Sequence, residues 1–345
     1  GERYLEALSD YTAINGGSEE SGYTIENRHA PVTITVSGTK SWSDEGNQDG
    51  IRPGAVTIHL LADGKDTGKT AEVRADGDGK WRYSFEGLNK YRDGGVEIEY
   101  TITEDEVTGY QTNIDGFDVT NTHEPETVDI KVTKVWEDEN NRDGYRPESV
   151  TVILKADGTE GERKTVTGSS TEDSWSCEFT GLAKYRDHGT EIVYTVEEEA
   201  LTGTAAEKYT SSVDGYTVRN SHEIDRTDIS GRKTWVDDND EQELRPTSLT
   251  VQLLADGNVI GSQVTDAEKG WSYSFTGLPV YREGREGEAI QYAVAELLPD
   301  NYVQNKASGY DLKNTVAPGE TSRKVTKKWE DESNQDGIRP AKITV

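Results

Sequence analysis

Four similar stretches of the chain each place a lysine two residues before a tryptophan. In DIKVTKVW, residues 129–136, alternate side chains share one face of a predicted strand, so Lys134 is in line with the core residues Ile130, Val132 and Trp136. Burial disfavours charge, so a lysine placed there loses its proton more readily, and a neutral amine is a nucleophile. The four pairs are Lys40/Trp42, Lys134/Trp136, Lys233/Trp235 and Lys327/Trp329.

A glutamate and an asparagine follow each of the first three lysines. In EIVYTVEE, residues 191–198, the side chains of Tyr194, Val196 and Glu198 share a face, which directs this glutamate into the core as well. A buried carboxyl group holds its proton more tightly and can serve as a general acid. The glutamates are Glu104, Glu198 and Glu296, and the asparagines that end the last strand of each copy are Asn121, Asn220 and Asn314.

The elements that carry these residues repeat on the scale of a domain. The four tryptophans recur at intervals of 94, 99 and 94 residues, which exceeds the period of about 20 to 50 residues found in stacked solenoid repeats. Short alternating segments separated by turn residues predict β-sandwiches. We expect part of a preceding copy over 1–31, in which Glu6 matches Glu296, complete copies over 32–125, 126–224 and 225–318, and part of a following copy over 319–345.

Many spaced elements of these copies agree with one known family. The segments VTKVWEDENNRDGYRP and LLADG, a strand with alternating Trp, Tyr and Phe, GLxxY and a closing YTVxN resemble the Cna B-type (collagen-binding-protein B-type) repeat domains of Gram-positive surface proteins. The resemblance implies an all-β fold, a tandem array of inverse immunoglobulin-like β-sandwiches. It also implies a spontaneous Lys–Asn isopeptide bond between first and last strands, promoted by the buried glutamate. The sets carried over by position are Lys40/Glu104/Asn121, Lys134/Glu198/Asn220 and Lys233/Glu296/Asn314.

The implied reaction suits these residue types. A protonated glutamate can donate to the asparagine carbonyl oxygen, polarise the carbon and carry the proton that lets ammonia leave. Folding holds the groups in contact, which can be worth effective molarities on the order of 10⁵–10⁸ M. Because the reaction runs once per domain, without cofactor or external substrate, we do not expect an enzyme. The third copy departs from its neighbours in the loop DDNDEQELRP, residues 237–246, which leaves its cross-link open.

Simpler interpretations of the same residues stay open. The lysine could form a buried salt bridge with the glutamate or extend to water. Asp138, Asn140 and Asp143 offer oxygens for calcium, although their spacing does not match an EF-hand loop. The histidines that follow a closing asparagine by two residues are interpreted as strand-end residues and not as metal ligands: His29, His123 and His222.

Composition limits the partners. Sixty-six acidic against 37 basic residues give a formal net charge of −29, which repels phosphate backbones and anionic membrane surfaces, so neither nucleic acid nor a membrane is expected to bind. The only cysteine, Cys177, precludes an internal disulfide and is interpreted as a tolerated substitution on its strand.

The favoured function is therefore structural. We expect a stalk or fibre segment of a bacterial cell-surface adhesin, extracellular and anchored to the cell wall. Its partners would be the neighbouring repeats, and a host or matrix ligand would be bound by domains elsewhere. The alternative is that the repeats themselves bind such a ligand, which would require an exposed apolar or aromatic patch.

Overall fold

The computed structural model of the protein describes residues 10–318 and 324–344; Glu6 lies outside these ranges. Its regular structure is almost entirely β-strand, which confirms the all-β prediction. The first two strands, β1 (Thr12–Ser18) and β2 (Gly22–Arg28), form an antiparallel pair ahead of the first complete copy.

The remaining strands fall into three groups. The first copy contains β3 (Thr33–Ser43), β4 (Val56–Ala62), β5 (Lys65–Val73), β6 (Trp81–Asn89), β7 (Tyr91–Arg92), β8 (Val96–Glu97), β9 (Tyr100–Glu104), β10 (Gln111–Asp115) and β11 (Asp118–Thr122). The second contains β12 (Thr127–Glu137), β13 (Ser149–Ala156), β14 (Thr159–Thr167), β15 (Ser174–Ala183), β16 (Tyr185–Arg186), β17 (Thr190–Glu191), β18 (Tyr194–Glu198), helix α1 (Gly203–Lys208), β19 (Thr210–Asp214) and β20 (Thr217–Ser221). The third contains β21 (Arg226–Val236), β22 (Ser248–Ala255), β23 (Asn258–Asp266), β24 (Ser272–Pro279), β25 (Tyr292–Glu296), β26 (Tyr302–Asn305) and β27 (Leu312–Val316).

Each copy is a sandwich of two sheets. In the second copy a four-stranded sheet has the order β15-β12-β20-β19 and a three-stranded sheet has the order β14-β13-β18. The first strand of the copy, β12, runs parallel to the last, β20, and antiparallel to β15. The first and third copies repeat this arrangement, with β3 parallel to β11 and β21 parallel to β27. The strands that begin and end each domain are thus direct neighbours.

The core lies between the two sheets and follows from strand alternation. Along β12 the side chains of Ile130, Val132, Lys134 and Trp136 are buried, and the residues between them are more exposed. Valines and aromatic residues from both sheets complete the core, and each large apolar side chain that is fully buried contributes about 1.5–3 kcal/mol. The buried residues of the second core are Ile130, Val132, Trp136, Val150, Val152, Leu154, Val166, Trp175, Phe179, Val196, Ala205, Tyr209 and Val218.

Local details differ from the sequence prediction in the second copy. The strand expected over 191–198 is divided into β17 and β18, and the segment expected to consist of turns contains α1 and β19. Every residue of β19 is exposed, so this edge strand carries no apolar alternation that the sequence could reveal. Within residues 10–318 and 324–344, no helix has the length and apolar character that a membrane crossing requires.

Candidate functional site

The lysine and the asparagine of each copy come from the two parallel neighbouring strands. In the second copy Lys134 on β12 is opposite Val218, and Asn220 on β20 is opposite Trp136. Asn220 is two residues beyond the partner of Lys134. Because alternate residues of a strand share a face, both side chains point to the core on neighbouring strands. Both are fully buried. The same register relates Lys40 to Asn121 and Lys233 to Asn314.

The glutamate approaches from the opposite sheet. Glu198 ends β18 and its Oε1 lies 3.6 Å from Lys134 Nζ. The corresponding distance from Lys40 Nζ to Glu104 Oε1 is 3.4 Å, and Lys233 Nζ lies 2.7 Å from Glu296 Oε2. The six side chains are at most 3% exposed. Each copy thus brings its three predicted residues together in the space between its sheets, with a tighter ion pair in the third.

Burial changes the electrostatics of the lysines. Removal of water lowers the pKa of Lys40 and of Lys134 to about 8, and the nearby glutamate offsets only part of this effect. The pKa of Lys233 is also lowered by burial, although the hydrogen bond that Lys233 donates to Glu296 acts in the opposite direction. Lys134 Nζ lies 3.9 Å from the ring centroid of Trp136, which covers it on one side. A much larger fraction of these amines is neutral near pH 7 than for an exposed lysine.

The asparagine carboxamides have few partners. Among the described residues, neither the nitrogen nor the oxygen of Asn121 or Asn314 has a hydrogen-bond partner, although both side chains are buried. In the second copy Asn220 Nδ2 donates to Glu198 Oε1 at 3.1 Å, and Asn220 Oδ1 accepts from Ser211 Oγ at 2.5 Å. A buried polar group without a partner costs about 1–3 kcal/mol, which is unusual for a purely structural residue.

The sequence of the chain matches a known family of protein domains. A model described as "Cna protein B-type domain" matches residues 36–122, 130–221, 229–315 and 323–345. The chain belongs to the Cna protein B-type domain family. Its sandwiches are accordingly B-type domains, and the repeat pattern found in the sequence is the repetition of this domain.

The chain is similar to an adhesin and to two crystal structures of B repeat units. The chain is 38% identical over 346 residues to a "Collagen adhesin" of Staphylococcus aureus, spanning 99% of this chain and 28% of the adhesin's length. The structure of two B repeat units (B1B2) of the collagen binding protein (Cna) of Staphylococcus aureus matches 90% of this chain and 81% of that one, with 32% identity and a TM-score of 0.48. That of a single B repeat unit (B1) matches 55% and 99%, with 38% identity and a TM-score of 0.26.

A buried aspartate, paired with a histidine of its own domain, holds the start of the next B-type domain. Asp143 Oδ2 lies 2.9 Å from His222 Nε2 and accepts a hydrogen bond from the backbone N–H of Asp225, at the start of the next domain, at 2.6 Å. Asp49 contacts His123 and the backbone N–H of Glu126 in the same way, each at 2.8 Å. The hydrogen bond to Asp49 raises the pKa of His123. The aspartates therefore hold the linkers between domains, and each histidine positions the aspartate of its own domain, a role that the sequence did not reveal.

A glycine loop completes each junction. The backbone N–H of Gly189 in the second B-type domain donates to Gln48 O of the first at 2.9 Å, and Gly287 of the third donates to Arg142 O of the second at 3.0 Å. Gly50 and Gly144, which adopt positive φ angles of 74°, pack against these loops. A Cβ on Gly144 would lie 3.0 Å from Gly287 Cα, so the close approach requires glycine. The recurrence of Asp-Gly after the tryptophan was the available sequence signal.

The three residues considered for calcium serve different purposes. Asp138 forms a buried ion pair with Arg146 and accepts a hydrogen bond from Tyr209 Oη at 2.5 Å. Asp143 belongs to the domain junction, and Asn140 lies beside the carboxylate of Asp173. Ligand atoms of Asp143, His222 and Asp225 lie within 4.8 Å of one another.

This last cluster is already occupied by protein groups. Lys208 Nζ contacts both carboxylate oxygens of Asp225 at 2.8 Å, and Tyr145 Oη donates to the same carboxylate at 2.7 Å. The ammonium group of Lys208 neutralises the negative charge of Asp225 that would attract a metal cation. The cluster is therefore an ion pair at the junction between two domains.

Proposed function

We propose that this chain is a load-bearing stalk segment of a bacterial cell-surface adhesin, in which each B-type domain closes itself with a spontaneous Lys–Asn isopeptide bond. The observation that carries the proposal is the meeting of a buried lysine and a buried asparagine on adjacent first and last strands, beneath a buried glutamate of the opposite sheet. The proposed bonds join Lys40 to Asn121, Lys134 to Asn220 and Lys233 to Asn314, promoted by Glu104, Glu198 and Glu296.

The unpaired carboxamides favour a reaction over a permanent salt bridge. A lysine–glutamate pair needs no asparagine, yet Asn121 and Asn314 are fully buried, and neither carboxamide has a hydrogen-bond partner among the described residues. If the asparagine is a reactant, its nitrogen leaves as ammonia and its carbonyl becomes part of an amide. The free-energy cost of burying the unpaired carboxamide then applies only to the domain before cross-linking, because the carboxamide no longer exists once the bond has formed.

The junctions support a role along an array. Domains over 32–125, 126–224 and 225–318 would transmit force through linkers that are hydrogen-bonded to the preceding domain. In this proposal the protein is extracellular and anchored to the cell wall, and any host or matrix ligand is bound by other parts of the adhesin. Each domain reacts once, so the chain is not an enzyme.

Intact mass under denaturing conditions tests the proposal. Each bond removes one ammonia, so the purified chain should weigh less than its sequence by three ammonias. Replacing Asn121, Asn220 or Asn314 by alanine should reduce the deficit by one ammonia each, which assigns the bonds to domains. A chain with its full sequence mass would refute the cross-links.

A further inference from the structure

The second domain contains a hydroxyl group that none of the proposed roles uses. Ser211 lies on the edge strand β19 directly opposite Asn220. Its Oγ is 2.5 Å from Asn220 Oδ1 and 2.7 Å from Glu198 Oε2. Among the described residues it is the only hydrogen-bond partner of this carbonyl oxygen. The serine thus stands between the glutamate and the atom that would become negatively charged during attack on the carboxamide.

The three groups form a closed ring of contacts. Glu198 Oε1 meets Asn220 Nδ2, Glu198 Oε2 meets Ser211 Oγ, and Ser211 Oγ meets Asn220 Oδ1. A hydroxyl group has one hydrogen to donate and lone pairs that accept, so Ser211 can accept from a protonated carboxyl group while it donates to the carboxamide oxygen. The ring therefore offers a path for a proton from Glu198 through Ser211 to Asn220 Oδ1.

The residue opposite the asparagine differs among the three domains. Thr112 lies opposite Asn121 in the first domain and its Oγ1 is 2.9 Å from Glu104 Oε2, but it makes no hydrogen bond with the Asn121 carboxamide. In the third domain the residue opposite Asn314 is Gln304, which has no hydroxyl group. There Glu296 instead holds the lysine, with both carboxylate oxygens within 2.9 Å of Lys233 Nζ. The chain therefore contains two domains with the hydroxyl and one without.

We propose that Ser211 relays the proton of Glu198 to the carbonyl oxygen of Asn220, that Thr112 holds the equivalent place on Glu104 in the first domain, and that the third domain forms its bond more slowly for lack of such a hydroxyl group. The inference rests on the proposed cross-linking. Ser211 touches a reacting atom and would be a catalytic residue of the second domain.

The reaction balances without any other reactant. Lys134 Nζ bonds to Asn220 Cγ while Oδ1 takes up the electron pair and receives a proton from Ser211 Oγ, which is replenished by Glu198. Glu198 then removes a proton from Nζ and delivers it to Nδ2. The Cγ–Nδ2 bond breaks, ammonia leaves, and the proton on Oδ1 returns through Ser211 to Glu198 as the carbonyl re-forms. An amine and a carboxamide have become a secondary amide and ammonia.

The exposure of the relay residues fits this scheme. Thr112 and Ser211 are exposed although the atoms they serve are buried. The hydroxyl group therefore lies at the boundary between solvent and core. This position lets the ring exchange protons with water after each transfer, and it also means that water can partly replace a missing hydroxyl.

The test measures bond formation separately in each domain. The full chain is produced as inclusion bodies and dissolved in urea, so that it has not yet folded or cross-linked, then diluted into buffer to start folding and quenched at intervals in acid. Cross-linked peptides from each domain are then quantified by mass spectrometry. Ser211→Ala should slow bond formation in the second domain by about tenfold, less than the roughly 10²–10³-fold typical for loss of an oxyanion donor, because water can reach the exposed position of this residue. The first and third domains of the same molecules should keep their rates and serve as internal controls.

Two further variants separate the hydroxyl from the fold. Ser211→Thr keeps the hydroxyl and should restore the rate of the second domain. Gln304→Ser supplies a hydroxyl to the third domain and should accelerate it, which is a gain that misfolding cannot produce. Equal rates for Ser211→Ala and the unmodified chain, or equally slow bonds with alanine and threonine, would overturn the relay while leaving the cross-links intact. Absence of ammonia loss from every domain of the unmodified chain would instead refute the cross-linking itself.

Discussion

Lys134 and Asn220 lie on adjacent parallel strands, one alternation apart on the core-facing side, with Lys134 opposite Val218 and Asn220 opposite Trp136. This register places a long amine beside a short carboxamide, and both side chains are fully buried. Because β12 and β20 are also the strands at which the chain enters and leaves the domain, a bond between these residues would join the two points where force is applied.

Removing the glutamate should separate folding from cross-linking. In Glu198→Ala the second domain should fold, since the lysine can be buried as a neutral amine, but its bond should not form because no carboxyl group remains to supply and recover the proton. Intact mass should then show a deficit one ammonia smaller than that of the unmodified chain. The control is Glu197→Ala, which removes a half-exposed glutamate of the same strand and should leave the deficit unchanged. A normal deficit in Glu198→Ala would exclude the assigned role.

Breaking one bond should make one domain extensible. Single-molecule stretching of the unmodified chain should lack the long unfolding steps of an ordinary sandwich, because load passes from Lys134 to Asn220 and bypasses the residues between them. Lys134→Ala should restore one such step. It should also cost the second domain roughly 4–5 kcal/mol, if loop-entropy estimates for disulfides apply to an amide link. Lys131→Ala, on the exposed side of the same strand, is the control; full-length steps in the unmodified chain would contradict the proposal.

Bond formation should accelerate with pH. Burial lowers the pKa of Lys134 to about 8, so the reactive neutral amine is the minor form below that pH and gains about tenfold per pH unit as the medium approaches it. The rate of ammonia loss after dilution from urea should therefore rise from pH 6 to about pH 8, where an exposed lysine would require a pH above 10. Lys40, with a pKa also lowered to about 8, should give the same profile. A rate independent of pH in this range would argue against a free amine as the nucleophile.

The junction between the second and third domains should depend on Gly144. Gly144→Glu introduces the residue that the third domain carries at the same position, Glu243, and its Cβ would press on the backbone of Gly287. We expect a broader distribution of distances between the two domains by fluorescence energy transfer. Gly158→Glu is the matched control, because Gly158 has a similar φ of 80° but open space around it. Identical distributions for the two variants would mean that the glycine contact does not orient the domains.

The sequence by itself determined the repeat, the all-β fold and the inward direction of the lysines. These features depend on local rules. Alternation along one strand is enough to place the Lys134 side chain on the same face as Val132 and Trp136, and alternation along another places Glu198 on the same face as Val196. Recurrence at matching positions then singled out the asparagines. No knowledge of distant contacts was needed for any of these steps.

Only the tertiary structure decided which strands are neighbours and what surrounds the carboxamide. The parallel pairing of β12 with β20 joins segments at opposite ends of the domain, and no local pattern encodes it. Ser211 was hidden for a related reason: β19 is exposed throughout, so it has no apolar alternation, and its serine resembles any turn residue in the sequence. The sequence signalled the domain junctions only through the recurrence of Asp-Gly, because Asp143 and His222 are far apart in the chain and come into contact only when the last strand lies beside the first.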